Sequence, residues 1–254
     1  MGKYIDMRLA DEPFEKIWRE EKTVEIRLND EKRREINVGD KIFFHLLSKE
    51  DSIIIATVTA LHRFDTFQQL FSSALFSKIG SGDMSADEAA QRMYQYYTAE
   101  QEQKYGVLGI EIKYEEDLSF VYGMLKDEYS DCDISDEDIR WFADELNDYV
   151  FVENCDLNDI LAIVYNFEEA MRGKGAVIEV GRQCCIYEQI INNLELNEEN
   201  AQRLYESFLF YRDCQAFSYL MNEYEEWITP EQRAEILSIA RECFIEEVWE
   251  RYLK

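Results

Sequence analysis

The chain has 254 residues, 46% of them hydrophobic, and its 27 Lys and Arg face 54 Asp and Glu for a formal net charge of −27. That apolar content suffices to bury a core and excludes a disordered chain, while the negative charge opposes passive binding along a phosphate backbone. Residues 1–115 hold 16 basic and 21 acidic side chains (net −5) and residues 116–254 hold 11 and 33 (net −22), so a nucleic-acid role has to come from a local pocket in the first part or be limited to small ligands. No apolar run reaches the length of a membrane helix. Residues 1–6 lack the apolar region of a signal peptide, and Asp6 stands where an N-myristoylation motif needs Ser or Thr. A soluble, cytoplasmic protein with no membrane partner is expected.

In chain order, Tyr4–Leu9 predicts a short strand. Asp11, Glu12 and Pro13 open a helix to about Glu21, with Phe14, Ile17 and Trp18 on its core face. From Lys22 to Leu28 polar and apolar residues alternate, placing Val24, Ile26 and Leu28 on one face of a half-buried strand and Thr23, Glu25 and Arg27 on the other, with Lys22 at the entrance. This charge-rich face is either a ligand surface or an edge strand blunted against aggregation. Asn29-Asp30 turns the chain into the basic triplet Lys32-Arg33-Arg34, read as an exposed loop in preference to a phosphate rim. Lys41–Leu47 and Ser52–Leu61 predict a hairpin joined by residues 48–51. His62 is the residue type of a general base, but no Ser or Cys stands beside it, and a structural or ligand-lining role is preferred.

Asp65–Ser77 predicts a helix, and Gly80–Ser85 a flexible loop without the spacing of a P-loop. A capping box at Ser85 and Glu88 opens a helix running through Met93, Tyr94, Tyr96 and Tyr97; its tyrosines suit either a core or base stacking. Gly106–Tyr114 predicts the closing strand, Val107, Gly109 and Glu111 facing one way and Leu108, Ile110 and Ile112 the other. Beyond Glu115 the polar segment 130–136 suggests a linker end. Helical periodicity follows, with Ile139, Phe142, Leu146 and Tyr149 on one core face and further helices near 156–171, 182–194, 197–211, 213–226 and 230–252. The cysteines (132, 155, 184, 185, 214 and 243) show no C-x2-C spacing and lie far in sequence from His45 and His62. Reduced, buried thiols are expected, with no metal and no cofactor.

The stretch from Glu20 to Asp30 resembles the signature of the ASCH domain, a small β-barrel of the PUA-like superfamily, which reads G-x-K-x-x-E-x-R. Lys22, Glu25 and Arg27 fall on its K, E and R, and Glu20 replaces its Gly. Met7-Arg8-Leu9, Val38-Gly39-Asp40-Lys41 and the run from Tyr105 to Ile112 agree as well, so the resemblance covers about residues 1–114. It implies a small PUA-like mixed β-barrel with flanking helices (residues 1–115), an α+β fold; the helical periodicity and acidic charge of residues 116–254 add an all-α acidic domain of no recognised family.

Three readings follow. The first, preferred, is a module that binds RNA, a nucleotide or a modified nucleoside through Lys22, Thr23, Glu25, Arg27, Asp83 and Tyr97. The second is an amidohydrolase. Some ASCH proteins hydrolyse the acetyl group of N4-acetylcytidine with a Lys, a Thr and a Glu. Only the Lys transfers, onto Lys22; Glu25 occupies the Thr position, and the Glu falls near Gly82, with Asp83 beside it. Lys22 then polarises the carbonyl and Glu25 handles the water, although a neighbouring carboxylate favours the ammonium form of a lysine, the wrong direction for a base. The third is an interaction protein whose acidic helices bind a basic protein, or a nucleic-acid mimic whose acids stand in for a phosphate backbone; ordinary solvated helix faces are the simpler account of those charges.

Overall fold

The alternating stretch at Val24 does form a strand, but neither of its faces is left to solvent. The computed structural model describes residues 2–152, 155–179, 181–212 and 214–243, without the side chains of Glu50, Asp51 and Cys214. One mixed sheet contains β1 (Tyr4–Leu9), β2 (Val24–Leu28), β3 (Lys41–Leu46), β4 (Lys49–Phe64) and β5 (Val107–Tyr114) in the order β1-β3-β4-β5-β2. Only β1 and β3 run parallel. Residues directly opposite on paired strands share a face. Val24, Ile26 and Leu28, opposite Glu111, Gly109 and Val107, join a core with Phe67, Leu70 and Ile79. Glu25 and Arg27, opposite Ile110 and Leu108, stand on the face that packs Met7, Leu9, Phe14, Ile17 and Phe44. In β4 the register shifts between Val58 and Ala60. Such a bulge bends the strand and helps curl the sheet into a half-barrel with β1 and β2 as its edges.

α1 (Asp11–Trp18) buries Phe14 and Ile17, whereas Trp18, expected in the core, is 54% exposed because the helix ends there. The residue that ends it is Glu20, at φ 58°. Its N–H returns to the Ile17 carbonyl (2.9 Å) and the Lys22 N–H to the Lys16 carbonyl (3.0 Å). This is the work of a left-handed C-terminal cap, normally given to Gly because a Cβ is penalised in that conformation. Glu20 therefore ends the helix by the same conformation that Gly would, with a side chain in place.

The helix expected over Asp65–Ser77 is two pieces, α2 (Phe67–Phe71) capped by Thr66 and a 3-10 turn (Ala74–Lys78) capped by Ser73. α3 (Ala86–Met93) has its capping box but stops at Met93, leaving Tyr94, Tyr96 and Tyr97 in a turn. α4 (Ala99–Tyr105) was not anticipated; the reciprocal bonds of Thr98 and Gln101 are a capping box that marks its start. The β3–β4 turn is Leu47-Ser48, tighter than the expected residues 48–51.

Packing divides the chain into two compact units, residues 1–119 and 120–254, so the division falls inside α5 (Glu116–Glu128), a helix that the sequence reading left unassigned. The second unit continues with α6 (Asp136–Asn147), α7 (Leu157–Gly173), α8 (Arg182–Asn193), α9 (Glu198–Tyr211), α10 (Cys214–Asn222) and α11 (Pro230–Cys243), and has no strand among its described residues. Residues 213 and 244–252 of the two last expected helices lie outside the described residues. Ile139, Phe142 and Leu146 are buried, and Phe142 stacks on Phe167 at 3.9 Å. Tyr149, expected beside them, is exposed in a π-helical turn at Asp148–Val152. Cys132, Cys155, Cys184, Cys185 and Cys243 are free thiols, and burial pushes that of Cys155 up to about 11. Among the described residues no helix is long and apolar enough to cross a membrane, and no group of three His, Cys, Asp or Glu is placed to hold a metal.

Glu20→Gly is expected to stabilise the first unit by about 1 kcal/mol, the left-handed penalty less the added freedom of the unfolded chain. Chemical denaturation checks this; an unchanged or lowered midpoint would contradict the cap.

Candidate functional site

Lys22 leaves the α1 cap directly into the interior. It is 7% exposed and Glu25 5%, against expectations of a strand entrance and an open strand face. Lys22 Nζ donates to the Val24 carbonyl (2.8 Å), lies 3.3 Å from Glu25 Oε2 and reaches the Ile79 carbonyl at 3.5 Å. An ammonium has three protons and no lone pair, so these three acceptors occupy it fully. On the other side, Arg27 Nε lies 2.9 Å from Glu25 Oε1, an ion pair not aligned as a hydrogen bond. Arg27 Nη2 donates to the Arg8 carbonyl at 2.9 Å. Arg8 belongs to β1 and Arg27 to β2, so the guanidinium spans the seam between the two sheet edges. Burial works against the charged guanidinium, but the charge of Glu25 and the Tyr97 hydroxyl outweigh it and raise the Arg27 pKa.

Gly80 fixes the loop above the ammonium. At φ +72° its conformation disfavours any side chain, and a Cβ there would lie 3.2 Å from Lys22 Cβ and 3.3 Å from the Glu21 carbonyl. Its own carbonyl accepts from Lys16 Nζ at 2.8 Å.

Lys22, Glu25 and Arg27 line a cavity of about 450 Å³, within the range of small-molecule sites. Leu9, Pro13, Phe71, Ile79 and Met93 supply apolar wall, and Tyr96 and Tyr97 aromatic wall. Tyr97 is held by a stack on Phe67 (centroids 5.5 Å apart, planes at 20°), while Tyr96 is 66% exposed. The charged lining is Arg8, Lys16, Lys22, Arg27 and Arg92 against Glu12 and Glu25. Five cations against two anions leave a net +3, in a chain whose net charge is −27.

Of the site residues read from the sequence, the structure brings Lys22, Glu25, Arg27 and Tyr97 together around this cavity and leaves Thr23 and Asp83 outside its lining. The Thr23 backbone extends the sheet, its N–H donating to the Lys78 carbonyl and its carbonyl accepting from Ile112. Asp83 is exposed in the loop before α3. The basic triplet, expected as a loop, runs into a 3-10 turn at Arg33–Glu35: Arg33 pairs with Asp30 at 2.8 Å, Arg34 donates to the Asn29 carbonyl, and none of the three lines the cavity. His62 contacts Glu111 at 3.0 Å, outside the lining. There Lys78, and then His62, hold the Glu111 carboxyl below its usual range. The sequence reading missed Arg8, Lys16 and Arg92 on the basic side of the lining, and Glu12. The available signal was the Glu12/Lys16 spacing of four on one helix face.

A curled five-stranded mixed sheet with flanking helices and a basic cavity at its seam belongs to the PUA-like α+β class. Residues 7–116 match the ASCH domain model, and the chain belongs to the ASCH domain family. It is similar to the hypothetical protein PH0355, with 31% identity over 44% of this chain and 99% of that one (TM-score 0.40). It is also similar to protein PF0455 of Pyrococcus furiosus, with 30% identity over 44% and 98% (TM-score 0.37). The ASCH protein of Zymomonas mobilis shares 16% identity over 52% and 82% (TM-score 0.29). No curated protein matches the chain.

Glu25→Gln removes the buried carboxylate between the buried Lys22 and the half-buried Arg27 and is expected to cost about 3 kcal/mol of stability. Lys22→Met in the same chain should recover part of that loss. Denaturation of the two single variants and the double variant tests this, and strictly additive losses would contradict the shared carboxylate.

Proposed function

We propose that the first unit binds a nucleobase-bearing ligand, an RNA end, a nucleotide or a modified nucleoside, in the cavity lined by Lys22, Glu25 and Arg27. The observation that carries this reading is a largely buried cation–anion–cation row beside two tyrosines, inside a positively lined cavity of an otherwise strongly acidic chain. A carboxylate accepts from the exocyclic amine or ring N–H of a base, a guanidinium donates to its carbonyl, and an aromatic face stacks on its plane. The RNA-binding character of the ASCH family points the same way. A chain of this charge is poorly suited to a long phosphate backbone, which favours a single nucleotide unit over an extended duplex or strand.

Amidohydrolysis of an N-acylated nucleoside ranks second. It is favoured by Lys22 and Glu25 lying 3.3 Å apart in the cavity lining. Against it, Lys22 Nζ is already engaged by the Val24 and Ile79 carbonyls and by Glu25, and neither Thr23 nor Asp83 lines the cavity. For residues 116–254 the reading is a separate acidic helical domain; a basic protein partner is left without a supporting observation.

Arg27→Ala is expected to abolish calorimetric binding of ribonucleosides and short RNA ends while the far-ultraviolet circular dichroism stays unchanged. Purified wild type should release no acetate from N4-acetylcytidine. Binding unaltered by Arg27→Ala would sink the site, and turnover lost in Glu25→Gln would put the enzyme first.

A further inference from the structure

The cavity lining holds a second charged group besides the Lys22–Glu25–Arg27 row. The Glu12 carboxylate takes Lys16 Nζ at 2.8 Å on one oxygen and Arg92 Nη2 at 3.1 Å on the other. Lys16 also holds the Gly80 carbonyl, and Arg92 touches Met84 Sδ at 3.9 Å. Two cations from separate helices, α1 and α3, thus converge on one side-chain carboxylate at the cavity. The groups are partly solvated, with side-chain exposures of 52% for Glu12, 25% for Lys16 and 43% for Arg92. Ion pairs so exposed contribute little to stability, so the fold does not depend on this one and its anion is exchangeable. The interior row, by contrast, is largely buried, and its one carboxylate is shared by both of its cations.

We propose that the Lys16–Arg92 pair is the phosphate station of the pocket, with Glu12 occupying it in place of the ligand, so that the ligand is a phosphorylated nucleotide and not a free nucleoside. The proposal rests on the nucleobase reading of the interior row and adds the chemical class of the ligand. A phosphate monoester carries more charge than a carboxylate and offers three oxygens to a guanidinium fork and an ammonium. It therefore displaces Glu12 from both cations while the base reaches Glu25 and Arg27. The same phosphorylated unit occurs as a free nucleotide or as the terminal nucleotide of an RNA.

The test is calorimetric titration of the full chain with the four ribonucleosides, their 5′- and 3′-monophosphates, and a phosphorylated ribotetranucleotide. Wild type should prefer the best monophosphate over its own nucleoside by about tenfold or more, the size of one charge-assisted hydrogen bond. Glu12→Gln, which withdraws the competing anion, should raise that ratio; Lys16→Met combined with Arg92→Gln should bring it to about one. A tetranucleotide bound tighter than the mononucleotide assigns the RNA end, and one bound no tighter assigns the free nucleotide; both support the station. A wild-type ratio near one, with nucleoside binding still lost in Arg27→Ala, overturns the phosphate station and leaves the nucleobase reading standing. Binding of neither nucleosides nor monophosphates overturns both.

Discussion

Lys22, Glu25 and Arg27 are withdrawn from water together, and a charge buried without a partner is more costly than most single features of a small domain. One carboxylate set between two cations meets that requirement, and the surrounding structure keeps it there. The left-handed turn at Glu20 brings Lys22 inward four residues after the end of α1. The carbonyls of Val24 and Ile79 take up what Glu25 leaves of the ammonium. Gly80 lets its loop close over the lysine stem, and Arg27 ties the row to the opposite edge of the sheet through the Arg8 carbonyl.

The same constraint explains where the cavity lies. β1 and β2 are the edges of a curled sheet, and among the described residues no strand pairs across the seam between them. Side chains line it instead: the charged row on one part, apolar residues of both cores on another, and two tyrosines from the turn after α3. Unpaired strand edges invite association; here an edge is spanned by a guanidinium and bordered by a cavity. Positive lining within an acidic chain concentrates attraction at one place, which suits a small anionic or base-bearing ligand better than a long polyanion.

Much of the first unit was legible in the sequence because its strands alternate and its helices carry caps. The Lys22, Glu25, Arg27 spacing also pointed to the cavity. The burial of Glu25 was not legible: alternation distinguishes the two faces of a strand but does not say whether a second core lies on the polar one, and here a core drawing on α1, β1 and β3 does. Trp18 was misplaced because a capped eight-residue helix presents fewer core positions than a longer one. Strand alternation drew Thr23 toward the site and the family's Glu position near Gly82 drew Asp83, yet Thr23 is engaged through its backbone and Asp83 is exposed. Lys16 and Arg92 are 76 positions apart, and only the fold brings them to a shared carboxylate. In the second unit, helical periodicity gave the elements but no chemistry, since its acids are spread over many helix faces.

The central claim is that the seam cavity receives the ligand, and amide and arginine Nε–Hε chemical-shift mapping of the isotopically labelled full chain, titrated with ribonucleoside monophosphates, tests it most directly. The account predicts saturable changes centred on the Arg27 side chain, Gly80, Tyr96 and Tyr97. An absence of saturable changes, or changes confined to residues 120–254, would contradict it.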